Sequence, residues 1–105
     1  MRKDIDVKII NKDNTLITIR IYGSIDMYNI IDIKKKIIDT IKHNGSYIVL
    51  DISKIDTIDS SAIGFFLNIY KICKDINKPL VFIKPNDHIY NIFVMTKLDQ
   101  LFKFA

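Results

Sequence analysis

The sequence predicts an α/β fold, with a mixed central sheet of about five strands and helices packed mainly on one face, in the order β-β-α-β-α-β-α-β. Three observations carry this. Short apolar runs rich in isoleucine and valine stand between turn residues, segments with apolar residues at helical spacing separate them, and Gly, Asn or Pro marks most of the joints. At 105 residues the chain has the size of one domain, spanning 1–105.

Val7 to Ile10 is a short apolar run, Lys12-Asp13-Asn14 supplies turn residues, and Leu16, Ile17, Ile19 and Ile21 resume the pattern with Thr18 and Arg20 between them. This reads as a hairpin, with Gly23 expected to end its second strand. Ser24-Ile25-Asp26 then leads into a segment with Ile30, Ile33, Ile37, Ile38 and Ile41 at helical spacing, stopped by Asn44-Gly45. Tyr47-Ile48-Val49-Leu50, bounded by Gly45-Ser46 and Asp51, reads as a central strand covered on both faces.

A loop then drops Asp59-Ser60-Ser61 onto the start of an apolar helix from about Ser60 to Ile76. Its stripe is Ala62, Phe65 or Phe66, Ile69, Ile72 or Cys73, and Ile76, and Asn77-Lys78-Pro79 breaks it. Leu80 to Ile83 is another buried strand, Pro85-Asn86-Asp87 turns the chain and caps a third helix carrying Ile89, Ile92 and Phe93, and Leu101-Phe102-Lys103-Phe104 alternates like an edge strand. Strands joined through helices should lie parallel with right-handed crossovers.

Apolar residues make up 49% of the chain and charged residues 27%, the balance of an ordinary soluble globule. No apolar run approaches the ~20 residues of a membrane helix. Met1-Arg2-Lys3-Asp4-Ile5-Asp6 has no apolar stretch behind its charges, so no secretory signal and a cytoplasmic location are expected. The net charge of +4 is not gathered into a basic stripe: Lys34-Lys35-Lys36, flanked by Ile33 and Ile37, reads as the solvated face of an amphipathic helix, and no nucleic-acid binding is expected.

Little points to catalysis. Cys73 is the one cysteine, so there is neither an internal disulfide nor a thiol cluster for zinc, and its apolar neighbours predict an inert buried thiol. His43 and His88 have no second histidine or acid at a metal-like spacing, so no metal is expected. The three glycines, Gly23, Gly45 and Gly64, stand too far apart for a phosphate-binding loop, and no cofactor is expected. Ser60 lacks the Gly-x-Ser-x-Gly surroundings of a nucleophile elbow. The expectation is a binding module, not an enzyme.

The feature left over is a pair of hydroxyls at a helix start. Such a start has spare backbone N–H donors and a partial positive charge, so a serine there is both a natural cap and a stable seat for a phosphate. Ser60 or Ser61 either caps the helix and does nothing more, or Ser60 is a switch. Ile63 and Leu67 lie off the main apolar stripe, either as an exposed patch beside that switch or packed under a neighbouring helix.

Asp59-Ser60-Ser61-Ala62-Ile63-Gly64 resembles the Asp-Ser-Ser/Thr-Gly-Leu-Gly signature of the STAS family, in particular the bacterial anti-sigma factor antagonists. Gly23-Ser24-Ile25-Asp26 is similar to the family's Gly-Glu-Leu-Asp, and Thr96 to Phe102 resembles its late Ser/Thr-Gly-Leu-x-x-Leu/Phe stretch. The likeness covers nearly the whole chain.

The resemblance implies that Ser60 is the phosphoacceptor, with Asp26, Asp59, Ser61 and Ala62 around it and Ser24, Ile63, Gly64 and Leu67 as partner-binding candidates. It implies a protein, monomeric when free, that binds an anti-sigma factor serine kinase, frees a sigma factor, and is restored by a metal-dependent serine phosphatase. Direct membrane insertion is not implied. A non-switching scaffold, or an accessory subunit of a signalling or membrane lipid-transport complex, is the alternative.

Ala62 stands where the family has glycine, adding a methyl expected to lie beside the acceptor, and the stop at Ala105 is expected to shorten or remove the family's last element. A phosphate would add a charge of about −1.5 to −2 next to Asp59 and near Asp26.

Overall fold

Along the second strand buried and half-buried positions alternate, which is how a sheet behaves when one face is packed and the other is not. The computed structural model describes residues 7–12 and 15–105, and the expectations for Met1 to Asp6 and for the Asp13-Asn14 turn lie outside them. β1 (Val7–Lys12) pairs antiparallel with β2 (Leu16–Ile25), which pairs in parallel with β3 (Tyr47–Ile58). β4 (Leu80–Ile83) and β5 (Lys103–Phe104) continue in parallel, giving five strands in the order β1-β2-β3-β4-β5. The helices α1 (Ile30–His43), α2 (Ser60–Asp75) and α3 (Asp87–Met95) complete the expected order, with a 3-10 turn at Leu98–Gln100 before the last strand.

The core is one cluster. Ile17, Ile19 and Ile21 of β2, Ile48, Leu50 and Ile52 of β3, and Leu80 and Phe82 of β4 point at Ile33, Ile37 and Ile41 of α1, at Ala62, Phe65, Phe66, Ile69 and Cys73 of α2, and at Ile89 and Phe93 of α3. Phe82 is the hub of its aromatic end, stacking on Phe102 at 4.5 Å and meeting Phe66 edge-on at 5.8 Å. Burial pushes the Cys73 thiol up to about 11, so it is inert as expected.

Four expectations are corrected. Val49, on the other face of β3, is only half-buried and no described helix covers it, so this central strand is packed on one face rather than both. Gly23 does not end β2. It sits inside the strand with φ 82°, at the irregular pairing between Gly23 and Ile25, and the strand runs on to Ile25.

Nor does Asp51 bound β3, which continues to Ile58. Asp51 is only 2% exposed because Arg20, directly opposite on β2, donates to its carboxylate at 2.8 Å, while the Ser53 N–H donates at 2.9 Å. A paired charge is tolerated inside a strand.

α2 ends as the sequence requires. Asn77 takes φ 58°, its N–H reaches the Lys74 carbonyl at 3.2 Å, and the Lys78 N–H reaches the Cys73 carbonyl at 2.9 Å. Ile76, expected in the apolar stripe, is the cap residue and 37% exposed. Ile92 of α3 is half-buried, while Ile89 and Phe93 are fully buried.

Candidate functional site

The site lies where the last residues of β2 and β3 run side by side. Ile25 pairs with Ile58, the Asp59 N–H donates to the Ile25 carbonyl at 3.2 Å, and Asp59 alone separates β3 from α2. The expected loop is therefore a single residue. On the neighbouring rung the Thr57 hydroxyl donates to the Ser24 hydroxyl at 2.9 Å, and the Ser24 carbonyl accepts from the Asn29 side-chain amide at 2.7 Å.

Neither serine caps α2. Asp59 is the N-cap, with extended backbone, and its carboxylate accepts the Ser61 N–H at 2.9 Å as well as the Ser61 hydroxyl. The reason is chain geometry: β3 delivers Asp59 in the extended conformation that a cap needs, and Ser60 is already the first helical residue. The other Asp59 oxygen accepts the Met27 N–H at 3.1 Å, clamping the turn after β2 against the start of α2.

These bonds, the Ser61 hydroxyl foremost, hold the Asp59 carboxyl below the usual aspartate range. Asp26 faces its own turn, accepting the Tyr28 N–H at 2.9 Å and the Asn29 N–H at 3.3 Å, and it meets the Asp59 rung through the turn they share.

Ser60 is exposed, and its hydroxyl takes no hydrogen bond among the described residues. One turn further along the same face stands Gly64, also exposed, where an added Cβ would meet nothing within 4 Å. The fold does not ask for glycine there, and glycine inside a helix costs about 1 kcal/mol relative to alanine. Ala62, by contrast, is completely buried in the core. The expected methyl beside the acceptor thus points inward and obstructs nothing that approaches Ser60.

Ile63 and Leu67 are half-buried and packed against the core, which favours packing over a free patch. The turn that Asp59 clamps and the α1 start do expose apolar side chains: Met27 is 63% exposed, Tyr28 86% and Ile31 75%. None of these residues, nor Thr57, was among those expected at the site. The available signal was two bulky side chains, Met27-Tyr28, in a short turn where polar residues are usual.

Among the described residues no group of three or more His, Cys, Asp or Glu could hold a metal. His43 does have an acid one turn away, contrary to expectation: its Nδ1 lies 3.3 Å from an Asp39 carboxylate oxygen on an exposed helix face. No described helix is long and apolar enough to cross a membrane.

The family model described as the STAS domain matches residues 5–105, and the chain belongs to that family. It is 24% identical over 98 residues to the anti-sigma-B factor antagonist of Listeria monocytogenes, covering 93% of this chain and 86% of that one. An anti-sigma factor antagonist from Mycobacterium paratuberculosis superposes with a TM-score of 0.84 at 16% identity, over 97% of this chain and 86% of the other. The Bacillus cell fate determinant SpoIIAA in its phosphorylated form gives 0.71 at 18% identity, over 96% and 90%. These structural likenesses concern the fold.

Proposed function

We propose that the chain is an anti-sigma factor antagonist that works by partner switching at Ser60. The observation that carries this reading is the division of labour at the α2 start: Asp59 caps the helix, which leaves the Ser60 hydroxyl exposed and uncommitted beside the bare backbone of Gly64. The relatives' names point the same way, and the neighbour SpoIIAA exists in a phosphorylated form.

In the unmodified state the anti-sigma factor kinase docks over Ser60, with Met27, Tyr28 and Ile31 offering the apolar contact. In the modifying step the Ser60 hydroxyl oxygen attacks the γ-phosphorus of the kinase's ATP. The bond to the β-phosphate oxygen breaks, ADP leaves, and the serine proton passes to a base on the kinase. A metal-dependent phosphatase hydrolyses the ester with water, returning Ser60 and inorganic phosphate.

The added charge of about −1.5 to −2 is tolerated by the helix start. It lies next to the Asp59 carboxylate, however, and beneath a closed interface it must be desolvated. A loss of even ~3 kcal/mol weakens binding more than a hundredfold, with no change of fold. The inward methyl of Ala62 removes the steric reason to prefer a non-switching scaffold.

The test is intact mass after incubation with the cognate kinase and ATP. One phosphate on the wild type and none on Ser60→Ala is expected; no adduct on the wild type, or an undiminished one on the variant, overturns the reading.

A further inference from the structure

At the end of the molecule away from Ser60, the C-terminal turns of α2, the start of β3 and the strand pair β4 and β5 line an open groove of about 600 Å³. Tyr47, Tyr70 and Leu101 are among its apolar lining residues, and Lys74 and Lys103 line it as well. The volume falls within the range of sites that take small organic ligands, and mostly apolar walls with a few polar groups are the usual make-up of such sites.

Charge narrows the ligand further. None of the described residues lining the groove is acidic, whereas Lys74, Lys78 and Lys103 are all basic. Lys78 is spent on the fold, since its ammonium donates to the carbonyls of Ile41 and Asn44 at the end of α1. Lys74 and Lys103 have no ion-pair partner among the described residues. Leu101, in the turn before β5, and Tyr47, at the start of β3, are 41% and 39% exposed.

We propose that this groove binds an amphipathic organic anion, its aromatic or aliphatic body against Tyr47, Tyr70 and Leu101 and its acidic head between Lys74 and Lys103. β3 begins at the groove and ends beside Ser60, and its twelve residues span roughly 35 Å. A bound ligand therefore leaves the Ser60 surface open, and this binding is independent of the switch.

The probe is 8-anilinonaphthalene-1-sulfonate, whose fluorescence rises on entering an apolar site, titrated into the full chain. The expected result is one saturable site. The double exchange Lys74→Glu/Lys103→Glu weakens it about tenfold or more, as loss of two ion pairs and gain of two repulsions requires. Leu101→Glu, which puts a carboxylate on the wall, does likewise, while Lys35→Glu on α1 leaves binding unchanged. The uncharged analogue N-phenyl-1-naphthylamine binds more weakly. No saturable binding, equal affinity in the groove variants, or equal affinity for the uncharged analogue overturns the proposal.

Discussion

The Asp59 carboxylate accepts the backbone N–H of Ser61 at 2.9 Å, and this one bond decides what the neighbouring Ser60 is free to do. With the helix start already satisfied, the Ser60 hydroxyl contributes nothing to the cap. A residue so placed can be modified without loosening the fold, which is what a reversible switch requires.

Stability should separate these roles. Asp59→Ala removes the cap and the clamp on the Met27 turn, and is expected to cost about 1–2 kcal/mol in urea unfolding. Ser60→Ala is expected to stay within about 0.5 kcal/mol of wild type.

Acid sensitivity follows from the same carboxylate. The Ser61 hydroxyl and the Met27, Ser61 and Ala62 N–H groups lower the folded-state pKa of Asp59 below its unfolded value. At Asp51, burial pushes upward, but the hydrogen bonds from Ser53 and Arg20 outweigh it and the net shift is also down. Groups lowered in this way contribute stability that is complete above the unfolded value of about 3.9 and is lost as pH falls through the folded one. Asp59→Asn keeps the capping oxygen but cannot titrate. Urea unfolding from neutral pH down to about pH 3 should therefore show a shallower acid decline than wild type; parallel profiles would refute the assignment.

Gly64 offers a test in which fold and function move in opposite directions. An added Cβ meets nothing within 4 Å, so Gly64→Ala is expected to raise stability by about 0.5–1 kcal/mol. Affinity for the cognate anti-sigma factor should fall nonetheless, because the methyl stands on the face that carries Ser60.

Gly45 gives the contrary case. It turns the chain from α1 into β3 with φ +62°, and a Cβ there would lie 2.6 Å from Cγ1 of the fully buried Ile17. Gly45→Ala is expected to destabilise by about 2 kcal/mol or more, read as a lower melting temperature and urea midpoint.

The element order, the span of α2 and the inert Cys73 were legible because periodicity and punctuation agreed there. The length of β3 was not. A charged residue ordinarily marks the edge of a buried run, and it is the donors around its carboxylate, Arg20 opposite and the Ser53 N–H, that make Asp51 an interior residue. Beyond Asp51 the strand pairs with β2 alone, so Lys54, Asp56 and Thr57 are exposed and polar, and they read as loop.

The cap was expected at Ser60 or Ser61 and falls instead at Asp59. All three residue types suit the position, and the backbone arriving from β3 selects the first. The inward direction of Ala62 follows from its place in the apolar stripe of α2, whereas the extent to which Met27 and Tyr28 are exposed depends on how the turn after β2 docks.

The most direct measurement is the affinity of the cognate anti-sigma factor for the protein and for its Ser60 phosphoform, by titration calorimetry at matched ionic strength. A drop of about a hundredfold or more on phosphorylation, with unchanged circular dichroism, is the predicted result. Affinities within about threefold of each other, less than ~1 kcal/mol apart, would contradict it.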